Sequence, residues 1–187
     1  MSPCVLETLR QEHRDMTKLL NLLERQIALV VQAREPDYEL LLQIADYFRS
    51  FPDLYHHPKE DLILQHLTAK YPSAAEELQA LEGDHEMGSR ALANFSRALV
   101  DMVLNPDLRR DRFLEAAKWF LDNERRHMAW EDERFLEIAE SQLTPEDWSA
   151  IDAKCQRLGN PGFEREAHLR FCRVGRELAG WWHQPAA

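Results

Sequence analysis

Residues 113–138 read FLEAAKWFLDNERRHMAWEDERFLEI, and the fold class turns on their periodicity. Phe113, Ala117, Phe120, Glu124, His127, Glu131, Phe135 and Ile138 recur at threes and fours, which is the spacing of one face of an α-helix. The seam is apolar at both ends and polar in its middle. A neutral imidazole in an apolar seam costs on the order of a few kcal/mol, and a carboxylate far more, unless each finds partners. This helix therefore needs neighbours that carry matching polar groups at the same height.

Upstream stretches supply them. Leu6, Leu9, His13, Met16, Leu20, Leu23, Ile27 and Val30 form one stripe within residues 3–33. A second helix carries Leu41, Ile44, Phe48 and Phe51, is interrupted at Pro52 and Pro58, and resumes through Glu60, Ile63 and Leu67, so a kink is expected there. A third carries Leu78, Leu81, His85, Gly88, Leu92, Phe95, Leu99 and Met102 after Tyr71-Pro72-Ser73, with Ser73 and Glu76 spaced as a capping box. Asn105-Pro106-Asp107 breaks that helix and caps the next, which runs over about 108–143. Strand signals are nearly absent. The expectation is an all-α chain: an antiparallel up-down-up-down four-helix bundle over residues 1–142. Two additional C-terminal helices follow over residues 143–187, the first opened by Thr144-Pro145-Glu146-Asp147 and the two separated by Gly159-Asn160-Pro161-Gly162. This extension, with Trp181-Trp182, either covers a flank of the bundle or makes a homodimer contact.

In an up-down bundle, residues at one height are mirror images about the turn that joins their helices. The midpoint of His13 and His56 falls beside Pro36, that of the His56/Glu60 pair and His85 beside Pro72, and that of His85 and His127 on Pro106. All three reflections land on expected turns. At a rise of about 1.5 Å per residue, His13, His56, Glu60, His85, His127 and Glu131 then share one layer a few ångströms thick. His56/Glu60 and His127/Glu131 each set an imidazole and a carboxylate one turn apart on one face, a pair able to grip one ion. Imidazole with carboxylate and no thiolate suits iron, manganese or zinc, and six ligands are more natural for two ions than for one.

Composition limits the partners. Lys and Arg number 23 against 33 Asp and Glu, giving a net charge of −10, the wrong sign for nucleic acid or an anionic membrane. No apolar run approaches the ~18 residues of a membrane span, and no basic-then-apolar leader stands at the start. Cys4, Cys155 and Cys172 are isolated, which suits a reducing compartment; the expected location is the cytoplasm.

Gln11-Glu12-His13, His56-His57-Pro58-Lys59-Glu60-Asp61, Asp84-His85-Glu86 and His127-Met128-Ala129-Trp130-Glu131 together resemble the hemerythrin-like, or HHE cation-binding, family over roughly residues 5–140. The resemblance implies a bundle holding a non-haem di-iron centre with two iron ions, zinc or manganese being alternatives. Such a centre binds or reacts with dioxygen, nitric oxide or peroxide, or senses iron; the redox partner is not legible. Ser89 stands where oxygen carriers of the family have a second third-helix His, which counts against reversible oxygen carriage. The two-His-per-metal pattern looks more like the branch linked to nitrosative stress and iron–sulfur repair.

Several alternatives stay open. His57 with Asp61 repeats the His56/Glu60 spacing, with His56 preferred. Asp132 stands at the spacing of the carriers' last carboxylate beside Glu131, with Glu131 preferred. Glu124 is a ligand, an acceptor for an imidazole N–H or a solvated residue, the acceptor role being preferred. Glu82-x-x-His85 and Glu124-x-x-His127 also match ferritin-like carboxylate proteins, an oxidase or iron store, and a sensor or adaptor without catalysis is the other competitor. His66, His168 and His183 lie off the layer.

Overall fold

The computed structural model describes residues 3–158, without the side chains of residues 72–82, 106–108, 157 and 158. Every element among the described residues is helical. α1 spans Cys4–Val31, α2 Tyr38–Phe51, α3 His57–Lys70, α4 Pro72–Leu104, α5 Pro106–Trp130, α6 Leu136–Gln142 and α7 Pro145–Leu158. Two π-helical turns, Pro52–His56 and Glu131–Phe135, join α2 to α3 and α5 to α6 without leaving the helical path. No helix among these is long and apolar enough to cross a membrane.

The caps follow local chemistry. α1 ends where Ala33 takes φ 56° and Arg34 N–H donates to the Leu29 carbonyl. The Asp37 side chain accepts from Leu40 N–H at 3.1 Å and opens α2. Asn105 breaks the chain between α4 and α5 as expected, but its side chain makes no capping bond. Thr144 and Asp147 form a reciprocal box: Thr144 N–H donates to Asp147 at 3.0 Å, and Asp147 N–H to Thr144 Oγ1 at 3.4 Å. Ser73, Glu76, the second C-terminal helix, His168, His183, Cys172 and Trp181-Trp182 lie outside the described residues and side chains.

The expected interruption at Pro52 and Pro58 takes a particular form. Pro58 has no N–H to offer one turn back. Just before it, His57 N–H reaches the Pro52 carbonyl in an i to i−5 bond, so the helix widens by a residue and continues. The second π turn is closed in the same way, by Leu136 N–H on the Glu131 carbonyl.

Two apolar clusters form the core. One gathers Met16, Leu20 and Leu23 of α1, Leu41, Ile44, Phe48 and Phe51 of α2, Phe95 and Leu99 of α4, and Phe113 and Phe120 of α5. Phe120 stacks on Phe95 at 5.2 Å and meets Phe48 edge-on at 5.3 Å. The other gathers Leu6 and Leu9 of α1, Ile63 and Leu67 of α3, Phe135, Leu136 and Ala139 around α6, and Trp148 and Ile151 of α7. Along α1, from α2 into α3 and from α5 into α6 the polar groups fall between these clusters: His13 between Leu9 and Met16, Glu60 between Phe51 and Ile63, His127 and Glu131 between Phe120 and Phe135.

α7 is held on the second cluster by Lys70, whose ammonium donates to Asp147 at 2.6 Å. The lysine and the Thr144 backbone bond bring the Asp147 carboxyl from 3.8 down to about 2. With the folded value depressed, the stabilisation is complete above the unfolded value and is lost as pH falls through about 2. An Asp147→Asn variant is therefore expected to have a lower urea midpoint than the unaltered chain at pH 7 and pH 5, with the gap narrowing by pH 3. A gap that does not change with pH would remove the ionic part of this account.

Candidate metal centre

The polar groups between the two clusters converge. His13, His56, Glu60 and Glu131 offer donor atoms within 4.8 Å of one another, and His57, His85 and His127 do the same. His13 and His56 are 2% exposed; Glu60 and Glu131 are fully enclosed. The carboxylates touch both groups. Glu60 lies 3.3 Å from His56 Nε2 and 3.5 Å from His85 Nε2. Glu131 lies 3.2 Å from His13 Nε2, 3.5 Å from His85 Nε2 and 3.0 Å from His127 Nε2. All six residues expected in one layer are thus together, and His57 joins them.

Each imidazole of the first group is oriented from behind. His13 Nδ1 lies 2.9 Å from Asp132 and His56 Nδ1 2.9 Å from Glu12. Glu12 in turn accepts from the Lys59 ammonium, which also donates to the Tyr55 carbonyl at 2.7 Å. A carboxylate can only accept, so both Nδ1 atoms carry hydrogen and each Nε2 turns inward. There His13 Nε2 and His56 Nε2 face each other at 3.0 Å. Two such lone pairs repel unless a proton or a cation lies between them.

The carboxylates state the same demand. Both oxygens of Glu60, both of Glu131 and His85 Nε2 are buried without a hydrogen-bond partner, although imidazole nitrogens stand 3.0–3.5 Å away. These atoms are close but not aimed as donor and acceptor. Their lone pairs converge on shared space, as donor atoms around a cation do. The donor set of imidazole and carboxylate therefore fits metal ions.

Electrostatics within the cluster are strong. Burial alone would lower the His13 and His56 pKa values, but adjacent carboxylates outweigh it and raise them to about 9 and about 10. His85 is likewise pulled down by burial and lifted by Glu131 and Glu60, ending at about 9. Burial and Glu131 push Glu60 upward, yet His56 and His85 bring it down to about 2. His57 goes the other way: burial and the neighbouring His85 lower it to about 4.

A cavity of about 310 Å³ opens on the second group, lined by His57, His85 and His127 with Phe48, Leu92, Phe120 and Glu124. Phe48 and Phe120 belong to the core and wall the cavity together. Burial raises the Glu124 carboxyl to about 6. Gly88 makes room for it, since a Cβ there would lie 3.1 Å from Glu124 Oε1.

Asp132 stands behind His13 rather than in the cluster, and Glu131 is inside. Glu124 faces the cavity and donates nothing to either donor group; among the described residues no imidazole bonds to it. The Glu82 side chain lies outside the described residues. His66 donates to or accepts from no group of the layer and bonds instead at 2.8 Å to the Leu62 carbonyl of its own helix. The helical periodicity singles out neither Glu12 nor Lys59. The available signal was adjacency: Glu12 precedes His13, and Lys59 precedes Glu60 with the opposite charge.

No curated protein and no solved structure matches the sequence. The family model that does match is the hemerythrin HHE cation-binding domain, over residues 4–140. That span begins with α1, ends within α6 and takes in every residue of both donor groups, and the chain belongs to this family.

Proposed function

We propose that this chain is a non-haem di-metal protein, with iron in both positions, whose bound ligand or substrate is a small oxidant: dioxygen, nitric oxide or peroxide. His13, His56, Glu60, His85, His127 and Glu131 are its ligands, and Glu60 and Glu131 are shared between the positions. The architecture belonging to this reading is an antiparallel four-helix bundle built from α1, the α2–α3 arm, α4 and the α5–α6 arm. One observation carries it: His13 Nε2 and His56 Nε2 face each other at 3.0 Å with both Nδ1 atoms already engaged. Iron would supply Lewis acidity and one-electron redox chemistry toward the small molecule. The chain itself supplies the access and the proton. Phe48 and Phe120 give the approach an apolar wall, while Glu124, with its carboxyl near 6, holds a proton beside the His85 and His127 side of the cluster at mildly acidic pH.

A metal-dependent sensor without catalysis is the second reading, and one observation favours it. The donor groups stand between two apolar clusters, the second of which holds α7. Loading would therefore tighten the seat of the C-terminal extension. Protease protection of the tail that follows metal content, with no turnover of oxidant, would select it.

The deciding measurement is metal content with an optical spectrum, under anaerobic and aerobic conditions. About two irons per chain and a spectrum that responds to oxygen or nitric oxide are expected. His85→Ala with His127→Ala should remove metal and lower thermal stability; His66→Ala should do neither. Equal metal content in all variants would sink the site.

The pKa values generate a second expectation. Because His13, His56 and His85 hold protons up to about 9–10 without metal, loading must displace them. Apparent metal affinity should rise steeply from pH 6 to 9, with acid released into weakly buffered solution. In the metal-free protein, these raised values contribute stability that is complete below about 6.5 and is lost as pH climbs through 9–10. Thermal melts of metal-free and loaded protein should therefore diverge as pH increases. Parallel pH profiles would contradict the assignment.

A further inference from the structure

We propose that His57 is a metal ligand in its own right, grouped with His85 and His127 at one position while His13 and His56 serve the other, so that the two positions are unequal. This rests on the di-metal reading above and adds a ligand to it. Three observations carry it.

His57 is placed like the other ligands. Its donor atom lies within 4.8 Å of those of His85 and His127, and its ring stacks on His85 with centroids 4.0 Å apart. It is also oriented like His13 and His56. Its Nδ1 lies 3.2 Å from Asp53, as His13 Nδ1 lies against Asp132 and His56 Nδ1 against Glu12. A carboxylate behind one ring nitrogen fixes the tautomer and leaves the other bare for a metal.

The third observation is the neighbourhood. One turn after His85, where α4 could have set a second imidazole, the chain has Ser89, which lines the same cavity as His57. The third imidazole of this group comes from the α2–α3 arm instead. With Glu60 and Glu131 reaching both groups, the position beside His13 and His56 counts four protein ligands and the position beside the cavity five. The richer position is the one a small molecule entering the cavity meets.

The test is equilibrium metal binding, measured anaerobically with iron(II) and, for its visible spectrum, cobalt(II), against a competing chelator. The unaltered chain should take two ions per chain. His57→Ala should keep one at unchanged affinity and bind the second at least about tenfold more weakly, with the spectrum of the second cobalt changed. Added imidazole should restore the second ion. Asp53→Asn should weaken the same ion by a smaller factor, and His66→Ala should change nothing. His57→Gln provides a variant that keeps a polar side chain at the site if the alanine fails to fold. Two ions at unaltered affinity in folded His57→Ala or His57→Gln would overturn the proposal and leave the di-metal reading intact. Loss of both ions together from a folded variant would also overturn it. If the unaltered chain itself does not take two ions, both readings fall.

Discussion

The facing Nε2 atoms of His13 and His56, 3.0 Å apart in a region closed to water, set the terms for the rest of the molecule. Neither can turn away, because Asp132 and Glu12 hold the opposite edges of the rings. Nor can the neighbouring carboxylates relax outward, since Glu60 and Glu131 are enclosed. Without metal, the adjacent carboxylates favour protonated rings and raise the His13 and His56 pKa values against burial. With metal, those protons leave. Either way positive charge must occupy the centre, for an uncompensated carboxylate in such a place costs several kcal/mol.

The helices are shaped to deliver these groups. The two π turns end and begin on donor residues, His56 closing one and Glu131 opening the other. A residue added to one turn shifts the phase of everything after it relative to an α-helix. Around Pro52 that shift coincides with a place where two adjacent residues, His56 and His57, both reach the cluster, their rings 5.9 Å apart. Adjacent side chains on a regular α-helix diverge by about 100°. The proline that sequence reading treats as an interruption is therefore part of how two neighbouring imidazoles are brought to one centre.

That distinction marks how far the sequence could be read. The all-helical class, the breaks near Pro36, Pro72 and Pro106, the Thr144 box and the convergence of six donor residues follow from periodicity and reflection, because those depend on rise per residue and on where chains turn. The roles of Glu12, Lys59 and Asp53 are not legible in the pattern, because these residues act from beside the seam. Periodicity sees which residues face inward; it does not see which neighbours reach across behind them. The choice between His56 and His57 had the same root. Spacing offers His56/Glu60 and His57/Asp61 alike, and the π turn sets both rings beside the other imidazoles.

The site is also lopsided in its access to solvent, and this follows from the same geometry. On the His13 and His56 side the rings and both carboxylates are buried, behind Asp132 and the Glu12–Lys59 pair. On the other side Gly88 and Ser89 withdraw bulk from α4, and the space so made becomes the cavity that Phe48, Phe120 and Glu124 share with the three remaining imidazoles. A larger residue at Gly88 would crowd the Glu124 carboxylate, whose pKa burial raises to about 6. Small residues on α4 thus do two things at once: they open the cavity, and they leave room for a weak acid beside its imidazoles.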